Sequence, residues 1–216
     1  LVVGGLLGLW GLVAAVGVVV FGNRPDLAEA WLGQGGVAFV FAGLGLAGIA
    51  GLVAAVALGV PGRERLVRWM VLAAGAGMVL AAAGGSLLFL ESPMPWHGGG
   101  WSADLNCLAV AVAVGILPAL GIVAFAGRAA PFRPLVLVVA AAASAAALGT
   151  VAAQASCPMA DLRHLLMGHV LAPAAGALVL STPLLIALRR IAAIWGATML
   201  RSASIVPRGR IRTSRL

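Results

Sequence analysis

The stretch GLVAAVALGVPGRERLVRWMVLAAG, Gly51–Gly75, decides the fold. An uncharged apolar run gives way to PGRERLVR, which carries Arg63, Arg65 and Arg68, and the apolar run then resumes. Followed outward, the flanks extend over 36–60 and 69–90, each close to the ~20 residues needed to cross a bilayer core. Backbone polar groups find no water in lipid, so runs of this kind are helices.

The same pattern recurs along the chain. Six apolar segments are expected at about 1–21, 36–60, 69–90, 107–126, 135–155 and 165–188, forming a transmembrane domain over 1–188 with a basic tail at 189–216. The chain of 216 residues is 62% hydrophobic and only 9% charged, with a mean hydropathy of +1.12. That apolar content exceeds what one water-soluble core buries. The expected class is all-α: a polytopic membrane protein, a bundle of six transmembrane helices.

Arginine orients the bundle. The net charge of +8 is carried entirely by arginine, which in such a chain bears on topology before nucleic acid, and no direct nucleic-acid partner is expected. One set of connections holds Arg63, Arg65, Arg68, Arg128 and Arg133, and the tail adds Arg189, Arg190, Arg201, Arg208, Arg210, Arg212 and Arg215. The alternate connections hold Asp26, Glu29, Glu91, Asp104 and Asp161, with only Arg24 and Arg163. The positive-inside bias therefore places both termini in the cytoplasm, N-in and C-in, in a bacterial plasma (inner) membrane. In the tail, Ile191, Ile194, Trp195 and Met199 fall on one stripe, as in an interfacial helix. The basic residues beyond it are expected to contact anionic lipid.

The first run has no basic leader or small-residue cleavage site, so it reads as a span rather than a signal peptide. It starts inside an apolar stretch without a methionine, and further sequence is expected upstream. Gly4, Gly8, Gly43, Gly45, Gly48 and Gly51 are expected to let helices pack through backbone contacts within the bundle. Pro118, Pro173 and Pro183 are expected to be tolerated inside spans.

Polar chemistry concentrates in SCPMADLRHLLMGHV, Ser156–Val170. Cys107, at the start of the fourth span, and Cys157, before the sixth, both fall on the extracytoplasmic side. That side permits oxidation, so a disulfide is one reading and two separate small residues the other. On a regular helix Cys157, Asp161 and His164 share a face, whereas His169 lies about 140° round from His164. The two histidines are therefore not expected to act together. Cys157, Asp161, His164 and His97 of the neighbouring loop include donor types that hold zinc or copper. No CxxC, HxxxH or Cys/His-rich tract supports such a site, and no metal or cofactor is expected. His169 must face protein, as a hydrogen-bonded structural residue or a responsive one.

Spans one to five contain no Asp, Glu, Lys, Arg or His between their ends. There is no carboxylate pair, nucleophile triad or midplane ion path, so the chain is expected not to be an enzyme. A device that senses outside and reports inside fits the layout better. The alternative is a small membrane thiol-redox or metal-handling protein using the same Cys/His residues.

Six spans, WSADLNC entering the fourth, ILPAL within it and a CP opening the outer end of the last hairpin together resemble the NrsF-type membrane anti-sigma factors, over roughly residues 60–188. The chain is also similar in architecture to the carotenoid-regulating anti-sigma factors of myxobacteria. The resemblance implies a cytoplasmic N-terminal segment that holds an ECF-type sigma factor until an external oxidative signal releases it. It implies paired outer cysteines at Cys107 and Cys157 as the sensing residues; from the residues themselves, His164, His169, Asp161 and His97 are expected around them. Arg63, Arg65, Arg68, Arg128, Arg133, Arg189 and Arg190 would meet the partner or lipid. The oligomeric state is left open.

Overall fold

The computed structural model describes residues 2–22, 35–91, 100–129, 133–157 and 164–205. Helices α1 (Val2–Phe21), α2 (Gly35–Leu58), α3 (Glu64–Glu91), α4 (Gly100–Ala129) and α5 (Pro134–Ser156) are followed by a π-helix, Leu165–Leu171, which runs directly into α6 (Ala172–Ile205). No strand occurs among the described residues. Among the described residues six helices are long and apolar enough to cross a membrane, which makes the chain a multi-pass membrane protein. Several helices run past their apolar segments. A helix satisfies its own backbone in water and in lipid alike, so α3 begins within the arginine connection at Glu64 and α6 continues into the tail. Pro118 and Pro183 lie inside α4 and α6 without ending either helix.

Helix α5 is at the centre, packed on α2, α4 and α6, while α3 lies mainly against α2 and α1 mainly against α4. Composition explains this place. Ten of the 23 residues of α5 are alanine and one is glycine, so neighbours can approach it from several sides. Leu137, Val138 and Ala141 of α5 are fully buried beside Leu52 and Ala55 of α2 and Ile122, Val123 and Ala126 of α4. Lipid is as apolar as these side chains, so burial from it contributes little; close packing and interhelical hydrogen bonds hold the bundle instead. Ser144 donates to the Gly48 carbonyl at 2.6 Å, joining α5 to α2.

Backbone contact is closest at two seams. Gly43 and Gly77 face one another between α2 and α3, and a Cβ on Gly77 would stand 2.6 Å from the Ala47 nitrogen and the Gly43 carbonyl. Between α4 and α5, Gly115 lies on Ala145 and Gly149 on the Ala111 carbonyl, leaving no room for a side chain. The small-residue packing read from the sequence is thus present at Gly43, Gly48 and Gly51. Gly4, Gly8 and Gly45 meet nothing within 4 Å.

These contacts fix direction. Gly17 meets Val114 and Gly121 meets Leu6, so α1 and α4 are antiparallel; Gly176 meets Leu108 and Gly127 meets Ile191, so α4 and α6 are parallel. Successive helices alternate in direction, and the bundle has two chemically distinct ends. At one end Arg63, Arg65, Arg68, Arg128, Arg133, Arg189 and Arg190 are all exposed. There the Arg128 guanidinium lies 5.2 Å from the centre of the Trp195 ring. Cys107, Cys157, His164 and His169 lie at the other end.

Candidate functional site

Local chain rules deliver the four residues to one place. Helix α5 stops at Ser156, and Cys157 turns extended, with φ −92° and ψ 117°. Proline follows at 158, and the residue before a proline is pushed out of the helical region. Cys107 lies in the second turn of α4, and His164 immediately precedes the π-helix. Both thiols then meet one imidazole nitrogen: His164 Nε2 is 3.1 Å from Cys157 Sγ and 3.3 Å from Cys107 Sγ. The two cysteines carry thiols here, not the disulfide that the oxidising side suggested. They are nevertheless brought together, fifty positions apart in sequence, with α4 and the end of α5 as neighbours.

The π-helix corrects the expectation for His169. Its i→i+5 register is wider than that of an α-helix, which brings residues five apart toward one face rather than 140° apart. The His164 and His169 rings consequently sit edge to face, with centroids 5.1 Å apart and planes at 76°. Pro173 was the sequence signal for this. Four residues on from His169, it has no N–H to offer the His169 carbonyl, and the helix widens just before it.

All four side chains are buried: Cys107 is 8% exposed, Cys157 5%, His164 2% and His169 1%. Taking one donor atom from each, the four lie within 4.8 Å of one another. Of the two readings of His169, hydrogen-bonded structural residue or responsive one, the first is not met, because neither Nδ1 nor Nε2 has a hydrogen-bond partner. Leaving a buried polar group unsatisfied costs about 1–3 kcal/mol even in a soluble protein. Asp161 and His97, the other residues named from sequence, lie outside the described residues.

Two soft sulfurs and two imidazoles within contact distance support two kinds of chemistry. The thiols can be oxidised to a bond between α4 and the end of α5, or the four donors can close on a cation. The arginines belong to neither; they form a separate basic surface at the far end of the same helices.

No curated protein and no solved structure shows significant similarity to this chain. A family described as "Negative regulator of sigma F", NrsF, matches residues 1–188. The match takes in α1 and α2, which from sequence resembled the family only in hydropathy. A bundle of six apolar helices, with its cysteines gathered at one end and its arginines at the other, thus belongs to the NrsF family of negative regulators of a sigma factor.

Proposed function

We propose that this chain is an anti-sigma factor of the bacterial inner membrane, oriented with its arginine end in the cytoplasm. It holds an ECF-type sigma factor there and releases it when an oxidant reaches the cysteine end from outside. One observation carries the reading: Cys107 and Cys157, remote in sequence, share one imidazole nitrogen at the end of the bundle opposite the arginines. A peroxide-class oxidant takes two electrons from the two thiols: its O–O bond breaks, the sulfurs join, and the two thiol protons leave on its oxygens, as two waters or as water and an alcohol. His164 Nε2, in contact with both sulfurs, can carry one of those protons on its way. The new bond draws the start of α4 onto the end of α5. Helix α4 is 30 residues long, roughly 45 Å at 1.5 Å per residue, and it ends at Arg128 and Ala129. A displacement at its first turns is therefore delivered to the arginine surface as a rigid-body shift, the kind of local change that two-state bundles report at a distance.

The test is capture of the sigma factor by membranes containing the full-length protein. Membranes from untreated cells should retain it, and a pulse of hydrogen peroxide should release it. Cys107→Ser and Cys157→Ser should each retain the sigma factor and fail to release it. Membranes that never retain a sigma factor would sink the proposal. Release unchanged in both serine variants would remove the oxidative part of it.

A further inference from the structure

The cluster offers more donors than a disulfide needs. We infer that Cys107, Cys157, His164 and His169 form an S2N2 site for one divalent thiophilic cation of the zinc class. Its regulatory meaning rests on the anti-sigma reading above, whereas the site itself does not.

Three observations lead to this assignment. The first is His169. A thiol pair with one histidine accounts for three of the residues, yet a second imidazole is held against them by a widened helical turn. Both of its nitrogens are buried without a partner, in a segment where ionisable groups are costly. A metal ligand gives that ring a reason to be there. The second is distance. With zinc–sulfur bonds near 2.3 Å and zinc–nitrogen bonds near 2.0–2.1 Å, donor atoms at the corners of a tetrahedron stand about 3.3–3.8 Å apart. Two separations are already 3.1 and 3.3 Å, and none exceeds 4.8 Å. A closure of about 1 Å by the outermost donors completes the tetrahedron. The third is charge. Two thiolates and one divalent cation sum to zero, so the loaded site is neutral where burial of charge is most expensive. A monovalent cation would leave a net negative charge on the same ligands. Hard cations would find no oxygen donor among the four. Soft and borderline S2N2 tetrahedra select zinc among the common divalent ions.

Binding is balanced by proton loss, since each thiol must give up its proton to ligate. Two protons therefore leave for each cation bound. The bound cation ties together α4, the end of α5 and the π-helix, and both thiols are then held as ligands.

The experiment uses the full-length protein, purified in detergent, reduced and stripped of metal by chelation. Cobalt(II) is the probe, followed by zinc(II). The expected result is one Co2+ per chain, a thiolate-to-cobalt charge-transfer band and the intense d–d bands of a tetrahedral site. One equivalent of Zn2+ should bleach them, with two protons released per Zn2+ bound to the apo protein. His169→Leu keeps both thiols and should lose the tetrahedral d–d signature. It should also weaken binding by at least ~100-fold, the upper end of what loss of an outer-shell partner alone costs. Cys107→Ser should lose half of the charge-transfer intensity and release one proton fewer. Absence of stoichiometric Co2+ uptake, an octahedral spectrum, or unchanged affinity in His169→Leu would overturn the site. Sigma retention by the same preparations separates the two ideas. Retention without metal uptake overturns the site and leaves the regulator standing, and uptake without retention does the reverse.

Discussion

The two ends of this bundle are built on opposite principles. At one end four donor atoms, from α4, the extended residue after α5 and the widened turn before α6, are buried within 4.8 Å of one another. At the other, seven arginines stand apart and exposed, and the one ring contact described among them is Arg128 over Trp195. The buried end depends on geometry, where a shift of an ångström makes or breaks a bond. The exposed end depends on charge density and tolerates individual side-chain movement. A protein that converts a small chemical event into a change of affinity needs one end of each kind, with stiff helices between them. The glycine seam of α4 on α5, where backbones meet with no room for a side chain, runs between the two ends.

The largest expected effect concerns which side of the membrane each end faces. Reporter fusions after Arg65, Arg133 and Arg190 should report cytoplasm, and fusions after Glu29, His97 and Met159 the opposite side. The effect is all or none, and a single inverted loop would detach the arginine end from the compartment in which a sigma factor operates.

A smaller effect is expected at the seam. Gly149 lies on the Ala111 carbonyl, so Gly149→Ala pushes α4 and α5 apart and should cost about 1–3 kcal/mol, as overpacking does in other tight interiors. Gly45→Ala enters open space, with nothing within 4 Å. It should be neutral or slightly stabilising, by at most ~1 kcal/mol. Unfolding of the detergent-solubilised protein measures both. Equal effects would mean that the seam is not what joins the two ends.

The smallest effect is expected at the exposed end. Trp195→Ala removes the ring beneath Arg128 and should cost about 0.5–1 kcal/mol, with sigma retention lowered less than twofold. A large loss of retention would show that the arginine end also relies on one specific contact and would erase the contrast between the ends.

Much of this was legible in the sequence. The six helices and the pooling of arginines at one end followed from apolar run length and loop charge, both of which act over tens of residues and survive local irregularity. The meeting of Cys107 with Cys157 was legible as a possibility, since an even number of crossings returns the chain to the same face. The cluster itself was not. His164 and His169 join it through a π-helix, and a regular 3.6-residue period places them on different faces. That period is a property of an isolated α-helix, whereas the register here follows from Pro173 downstream and from the α4 and α5 surfaces against which the turn packs. Cys107 and His164 are 57 positions apart, and no local pattern encodes their contact. The upstream helices were also underread: the family match covers α1 and α2, whose glycine-rich sequences carry hydropathy but few distinctive residues.

The state of the two thiols at one end should set sigma-factor binding at the other. The most direct measurement treats cells with graded hydrogen peroxide and quenches them in acid. Reduced thiols are then counted by alkylation mass shift on the denatured full-length protein, while sigma factor retained by membranes is quantified from the same cells. Cys107 and Cys157 should lose their reactivity together, as a pair, and retained sigma factor should fall in step with them. Release while both thiols still alkylate, or loss of both thiols with the sigma factor still held, would contradict this coupling.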